Sequence, residues 1–371
     1  MYKRQVRTRD RLRFRGDNER TVTAVAVFEG GAVVPRASIF AGQIGKFWGL
    51  GAIQIGDTFG LLRTTSEPYN FAPPTLETVI VPRRPEDKGA LRVALDQLLE
   101  QDPLINLRQD DSRQEMYVSL YGEVQKEVIQ ATLANDFDIG VDFWETTAIC
   151  IERPVGVGAA VEILQEETNP TSATVGLVVR PAAAGSGVRF QLDVNPRCIP
   201  LYIYKTTNSF VEHMTQYVLD TLRDGLFGWT VTDCTVTLNE CNYYIGDGPG
   251  KPSGNTPRTI AADFRILAPL VLRAALKKAS TVVCEPIHRF HIEIPADAVG
   301  LIAPALALLG GFPRTTEMIG SSCLLEGQIP AARVNELQRQ LATLTRGEGV
   351  LESAFSHYQP VRGTIPIRTM V

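Results

Sequence analysis

Apolar positions along this chain follow two rhythms, and the rhythm changes in blocks. From Thr21 to Thr65, short apolar runs such as "TVTAVAVFEGGAVV" and "IGKFWGLGAIQIGDTFG" are broken by Gly and Gly-Asp pairs. Turn signals at spacings of about 8 to 12 residues predict antiparallel strands of a small barrel or sandwich. Too few strands are present to close a barrel, so a partial β-barrel is expected. Pro68, Pro73, Pro74, Pro82 and Pro85 then mark a linker that yields one strand, "TLETVIVP".

Between Glu86 and Asp142 the period lengthens. "EDKGALRVALDQLLEQDP" carries apolar residues at helical spacing and stops before Pro103, "EMYVSLYG" alternates as a strand, and "EVQKEVIQATLANDF" predicts a second amphipathic helix. With the preceding strand this spells βαββαβ, the split βαβ arrangement of ferredoxin-like domains. From Ala148 to about Pro286 the predicted strands are "ATVGLVVRP", "VRFQLDVN" and "TVTDCTVTL", with helices in "NSFVEHMTQYVLDTLRDG" and "ADFRILAPLVLRAALKKAS". The strand "EPIHRFHIEIP", the helix "DAVGLIAPALALLGG", the strand segment "MIGSSCLLEGQIP", the helix "AARVNELQRQLATLTRG" and the strand "VLESAFSHYQP" repeat the βαββαβ order. Two copies of one small unit flank a mixed α/β domain, which makes the chain α+β and multidomain.

Composition fits that size of architecture. The chain has 371 residues, 44% hydrophobic and 21% charged, enough for two or three cores at roughly 150 residues per domain. A formal charge of -4 provides no global field toward nucleic acid, so any such contact has to be local. Cys150, Cys198, Cys234, Cys241, Cys284 and Cys323 form no CxxC pair and have no His at ligand spacing, which predicts reduced core thiols rather than zinc ligands or a disulfide framework. No apolar run approaches about 18 residues and no leader pattern is present, so neither a membrane span nor a signal peptide is predicted, and the expected compartment is the cytoplasm. The opening "MYKRQ", Met1–Gln5, reads as translated adaptor sequence from a sequencing library, with an ordinary basic N terminus as the alternative.

The motifs of hydrolytic and nucleotide chemistry are missing. A P-loop needs GxxxxGK[ST]; "AGQIGKFWG" has Gly42 and Gly45 at the wrong spacing and Phe47 where the hydroxyl belongs, which predicts a strand turn. "GLGAIQIG" has no βαβ context for a dinucleotide. GxSxG and HExxH do not occur among residues 1–371. The histidines are His213, His288, His291 and His357; His288 and His291 lie three apart in a strand and so face opposite sides, a poor metal pair. Asp110 with Asp111 and Glu166 with Glu167 sit in turn-like contexts and are expected to be solvated. No catalytic residue and no metal site is predicted, which makes this a binding or positioning module.

One stretch asks for a partner. In "NYYIGDGPGKPSGNTPRTIAADFR", Asn242 to Arg265, two tyrosines lead into a long Gly/Pro segment of the kind that in compact domains is functional or disordered. Tyr243 and Tyr244 could stack on exposed bases, at about 1 to 3 kcal/mol per base, and Lys251, Arg258 and Arg265 could meet phosphates. A plain surface insertion is the other reading, and alternation along the strand would place one tyrosine in the core. A second aromatic and basic loop, "NPRCIPLYIYKTTNS", carries Arg197, Tyr202, Tyr204 and Lys205, and the two loops could form a common tip.

"DPLINLRQDDSRQEMYVSLYGEVQKEVIQATLANDFDIGVDF", "AICIERP", "GSGVRFQLDV", "GLFGWTVTDCTVTL", "ADFRILAPLVLRAALKKASTVVCEPIHRFHIEIP", "LEGQIPAARVNELQRQLATLTRGEGVLE" and "YQPVRG" together resemble the tetracycline ribosomal protection proteins of the actinobacterial oxytetracycline type, a family built like elongation factor G. The resemblance runs from about Arg9 through nearly the whole chain. It implies a partial β-barrel domain at 6–70, a ferredoxin-like domain at 76–146, an elongated α/β domain at 147–285 whose tip enters the decoding site, a second ferredoxin-like domain at 286–361 and a truncated C-terminal tail at 362–371. The family's GTPase domain is not in this chain, so GTP and Mg are expected only there, this chain takes no cofactor, and it is not itself an enzyme. The implied partners are the ribosome and small-subunit ribosomal RNA at the decoding centre, with no membrane, and the chain is expected to be a monomer.

In the family the tip-loop tyrosine pair and the Pro-containing loop after it contact ribosomal RNA at the tetracycline site. Tyr243 and Tyr244 match the pair, and Gly248, Pro249, Lys251 and Pro252 fall in the loop. Here "GDGPGKPSGNTP" replaces the family's compact Pro/Ser/Val stretch. The implied function is the ribosome-binding portion of a factor that displaces tetracycline from the decoding site. The alternatives are a fragment of a translocation factor resembling elongation factor G, which has a "YRET"-like string where this chain has "IERP", and a stand-alone interaction protein.

Overall fold

The computed structural model describes residues 5–14, 18–51, 53, 59, 74–102, 105–110, 115–144, 146–164, 166–245 and 257–368. The chain divides into two compact units: Met1–Pro74 with Thr78–Gln109 and Gln114–Glu145, and Thr75–Glu77 with Asp110–Arg113 and Thr146–Val371.

In the first unit, Gln5–Arg7 pairs with Ser38–Phe40, Arg11–Phe14 pairs with Asn18–Thr21, and Ala24–Glu29 lies between Ala32–Arg36 and Gly45–Trp48. Val22, Val25, Val27 and Ile39 form the core of this region. The glycine string that lacks P-loop spacing is a turn at Gly42, at φ 89°, followed by a strand. A Cβ at Gly45 would collide with the Ala26 carbonyl of the neighbouring strand.

The rest of this unit is the first βαββαβ run: Leu76–Pro82, the helix Lys88–Gln101, Leu107–Asp110, Glu115–Leu120, the helix Glu123–Phe137 and Val141–Phe143. The sheet order is Val141–Phe143, Leu76–Pro82, Glu115–Leu120, Leu107–Asp110. Period decides each element: Met116, Val118 and Leu120 bury one strand face, and Leu91, Ala94 and Leu95 bury one stripe of the first helix. The second helix ends where Asp138 turns left-handed at φ 55° and the Ile139 N–H reaches back to the Leu133 carbonyl at 3.0 Å, a Schellman-type stop.

The second unit contains a sheet ordered Gly158–Glu162, Ala173–Pro181, Cys234–Tyr243, Val188–Leu192, with the last pair parallel. Two helices, Thr207–Leu222 and Ala261–Ala279, lie against it. Phe210, Met214, Val218 and Leu222 repeat at i, i+4, i+8 and i+12, and with Phe264, Leu267, Val271 and Ala275 they pack on Val175, Leu177, Val236 and Leu238. The Thr206 side chain caps the first helix by accepting from the Ser209 N–H at 3.1 Å.

"TVTDCTVTL", read as one strand, is two: Thr230–Val231 and Cys234–Tyr243. Asp233 separates them with φ 55°, a turn that Asp tolerates better than most residues. It is 3% exposed and binds the Arg153 guanidinium at 2.7 Å and the Gly187 N–H at 3.1 Å.

A second βαββαβ run follows: Thr281–Pro295, the helix Val299–Leu308, Phe312–Ile319, Ser322–Pro330, the helix Val334–Leu344 and Val350–Pro360. "MIGSSCLLEGQIP", which the βαββαβ order requires to hold two strands, spans a hairpin that turns at Gly320, φ 63°. The two histidines of Thr281–Pro295 do face opposite ways. His288 is 9% exposed, with Nε2 2.9 Å from the Thr75 hydroxyl. His291 is on the solvent side, 3.1 Å from Glu326.

A knot of buried polar groups joins this sheet to the middle region of the unit. Glu152, fully buried, accepts the backbone N–H groups of Leu226, Phe227 and Trp229 at 2.9, 2.8 and 3.0 Å and the Thr281 hydroxyl at 2.6 Å. Position 225 must be Gly because a Cβ there would sit 2.5 Å from that carboxylate. Beside it Arg368 pairs with Glu77 at 2.6 Å and lies 5.0 Å over the Trp229 ring, whose Nε1 donates to the Pro366 carbonyl at 2.8 Å.

Candidate nucleic-acid interface

The two flagged loops meet at the far end of the strand Cys234–Tyr243. Tyr243 is its last residue and pairs with Ala173. The Tyr244 N–H donates to the Thr259 hydroxyl oxygen at 2.8 Å, and the Thr259 N–H donates back to the Tyr244 carbonyl at 2.9 Å. Thr259, fully buried, sends its hydroxyl proton to the Ser172 carbonyl. One threonine therefore closes the Gly/Pro segment at its base and anchors it to the sheet. A segment closed in this way can be long at little entropic cost, since each doubling of length adds only about 0.6 kcal/mol.

The second loop contributes to the same base. Tyr202, on the short helix Leu201–Tyr204, donates its phenol to the Thr259 carbonyl at 2.7 Å. Its ring is 5.5 Å from that of Tyr243, tilted by 49°, and the Arg258 guanidinium sits 4.6 Å from its centroid on the approach from the first loop. Burial raises the Tyr202 phenol above its ordinary range, with Arg258 and Thr259 pulling the other way; the group remains a neutral donor. Arg258, Tyr202 and Tyr243 form a small cation and aromatic stack, and Tyr202 is still 38% exposed.

The other predicted site residues divide sharply. Arg197 is exposed, on a turn that Asn195 holds by accepting the Arg197 N–H at 3.0 Å. Lys205 is exposed and held at φ 63°. Tyr204, which the sequence pattern groups with them, is 4% exposed, its ring 5.1 Å from Phe210, 6.0 Å from Phe264 and 5.2 Å from His213. That ring is core and has no free face for a base. Gly248, Pro249, Lys251 and Pro252 lie outside the described residues, as does Asp111, and Glu166 and Glu167 are exposed.

Among the described residues nothing at this site resembles a reaction centre, and no group of three His, Cys, Asp or Glu side chains is placed to hold a metal ion. The six cysteines are free thiols, all but Cys198 buried, and burial pushes Cys150, Cys234 and Cys241 up to about 12. No helix among the described residues is long and apolar enough to cross a membrane.

Three family profiles tile residues 71–368: elongation factor G domain III at residues 71–145, elongation factor G domain IV at 148–280 and the elongation factor G C-terminus at 282–368. The chain belongs to the elongation factor G family. Within that family its sequence is similar to tetracycline resistance proteins. It is 39% identical over 352 residues to the oxytetracycline resistance protein of Streptomyces rimosus, matching 94% of this chain and 50% of that protein. It is 36% identical over 366 residues to the tetracycline resistance protein TetM of Streptomyces lividans, matching 98% of this chain and 54% of that one. The tetracycline resistance protein TetP of Clostridium perfringens is 34% identical over 331 residues, 89% of this chain and 48% of its own. The chain thus spans about half the length of these curated relatives. A crystal structure from Thermus thermophilus superposes with a TM-score of 0.56 at 22% identity, covering 96% of this chain and 52% of that one, which supports the fold.

The family resemblance carried by the motifs therefore stands. Pattern reading singled out Tyr243 and Tyr244 because aromatic pairs before Gly/Pro loops are conspicuous, and Tyr202 and Arg258 by composition. It missed Thr259, whose role depends on Ser172 and Tyr202, residues distant in sequence.

Proposed function

We propose that this chain is the ribosome-binding portion of a tetracycline ribosomal protection protein of the elongation factor G family, and that the segment between Tyr244 and Thr259 is its reading finger. The observation that carries this reading is the base of the finger: Thr259 ties both ends together and to Ser172, and Arg258 stacks on Tyr202 beside Tyr243. A loop anchored this firmly at its root is presented to a partner rather than merely tolerated. The names of its relatives supply the partner's context.

In this reading the finger occupies ribosomal RNA at the decoding centre of the small subunit and competes for the surface where tetracycline binds. Displacement requires that the factor bind the drug-free ribosome more tightly than the drug-bound one. GTP hydrolysis, in a domain this chain does not contain, resets the factor, and this chain itself binds no nucleotide or metal. We assign a partial β-barrel to 6–70, ferredoxin-like domains to 76–146 and 286–361, and the ribosome-tip domain to 147–285, acting as a cytoplasmic monomer. The sheet orders of the two βαββαβ runs support the ferredoxin-like assignment.

The test joins this chain to a family GTPase domain with the remaining barrel strands, expresses it in a tetracycline-sensitive bacterium and compares growth limits with Tyr243→Ala, Tyr244→Ala and Thr259→Val variants. Protection by the parent that any of these changes abolishes, with ribosome binding retained, supports the finger. A parent that pellets with ribosomes and gives no protection favours translocation, the second reading that the elongation factor G profiles allow. A parent that does not pellet leaves neither.

A further inference from the structure

The helix Ala261–Ala279 starts where the finger ends, and its outer face is rich in cations. It carries Arg265, Arg273, Lys277 and Lys278 against a single acid, Asp263, in a protein whose formal charge is -4. Asp263 is turned back to the helix start, where it accepts the Ile260 N–H at 2.8 Å. At 100° per residue Arg265, Ile266, Leu270, Arg273 and Lys277 fall within an arc of about 140° and span about 18 Å of helix axis. All five are exposed, Ile266 by 50% and Leu270 by 48%.

Folding does not require this stripe. The helix buries Phe264, Leu267, Ala268, Val271, Leu272, Ala275, Leu276 and Ala279 on its opposite side, which is a complete amphipathic face. We infer that the stripe Arg265–Arg273–Lys277 is a second RNA-binding surface, continuous with the finger base at Arg258, that lies along a ribosomal RNA backbone and fixes the angle at which the finger enters. This rests on the ribosome reading above and adds a surface to it.

Charge complementarity selects the partner. Three cations along one line of a helix suit a regular row of phosphates. An anionic membrane is the poorer match: a helix lying in a bilayer interface presents its broad apolar face, and here that face is buried in the protein's own core. Ile266 and Leu270 between the cations offer apolar contact to sugars while excluding water from the ion pairs.

The experiment uses the full chain and measures its affinity for purified small ribosomal subunits across a potassium chloride series. The triple variant R265Q/R273Q/K277Q is compared with the parent, with the charge-preserving R265K/R273K/K277R, and with R180Q/R189Q, which removes two exposed cations elsewhere in the same domain. Removing one cation from a phosphate lowers the slope of log affinity against log salt by about 1. We expect the triple variant to drop by about three units of slope and at least tenfold in affinity near 0.15 M salt, the conservative set to keep the parent's slope, and R180Q/R189Q to be unchanged.

If the parent binds and the triple variant matches it, the stripe proposal falls and the ribosome reading stands. If the parent does not bind at all, both fall. Loss of binding to whole subunits with full binding to protein-free small-subunit RNA would make the partner a ribosomal protein, and an equal loss on phosphatidylserine vesicles would make it a generic anionic surface; either overturns the RNA assignment. Circular-dichroism melts of each variant separate these outcomes from misfolding.

Discussion

The strand Cys234–Tyr243 has two very different ends. At its start, two buried carboxylates are fully partnered: Asp233 with the half-buried Arg153, and close by Glu152 with four donors. At its finish the polar groups are an exposed arginine, a partly exposed phenol and one buried hydroxyl. Buried, fully satisfied polar networks specify a single arrangement and are costly to disturb. Exposed stacks held by one anchor can yield and re-form around a partner. The contrast teaches that this domain is fixed at one end so that it can be used at the other.

Glu152→Ala should be the most damaging single change, because it leaves the buried Trp229 N–H and the half-buried Leu226 and Phe227 N–H groups without this acceptor and a cavity beside them. We expect a loss of about 3 to 5 kcal/mol in urea unfolding, with Glu152→Gln recovering part of it. A melt within experimental error of the parent would remove the contrast altogether. Thr259→Val, at the other end, should cost about 1 to 3 kcal/mol. Its signature should be local: protease cleavage between Tyr244 and Thr259 should accelerate by more than the global midpoint shifts.

Acidification should act only on the buried side. Burial lowers His288 below its ordinary 6.5, and its Nδ1 has no hydrogen-bond partner among the described residues. The unfolded chain takes up the proton near 6.5, while the folded protein resists it to lower pH. Stability from this site is therefore complete above 6.5 and is lost as pH falls through the folded value. His288→Asn should flatten the pH dependence of the thermal midpoint, while cleavage at the finger of the parent stays constant between about pH 7 and 5.5. A finger that loosens in step with the midpoint would show that the two ends are not independent.

The smallest effects should separate two tyrosines that sequence grouped together. Tyr202→Ala removes the stack with Arg258 and Tyr243 and should cost about 0.5 to 1 kcal/mol while weakening RNA binding. Tyr204→Phe deletes a buried hydroxyl that lacks a partner among the described residues, and should be neutral or slightly stabilising by thermal melt with RNA binding unchanged. A binding defect in the second variant would return Tyr204 to the site.

Much of the architecture was legible because period is local. The helix Glu123–Phe137 and the strand Ala173–Pro181 coincide with the segments their patterns predict. The break at Asp233 was not, because alternation runs through "TVTDCTVTL" and the partners that hold the turn, Arg153 and Gly187, are 80 and 46 residues away in sequence. Tyr202 and Tyr204 look alike in "PLYIYK", yet one faces solvent and the other packs on Phe210 and Phe264, and the paths of the two helices that carry those rings decide which. The finger announced itself through its glycines and prolines. Its anchor is a single threonine in a polar stretch, and nothing in the surrounding sequence distinguishes that threonine.

The ion pair between Arg368 and Glu77 closes a loop of 291 residues. During synthesis at about 5 to 20 residues per second, Glu77 therefore waits roughly 15 to 60 s for its partner to be made. Until then Trp229 lacks both the Arg368 cation over its ring and the Pro366 carbonyl that its indole N–H will bond. The strand Val350–Pro360, which completes the last sheet, is made only eight residues before Arg368, so that sheet and this clasp are both late.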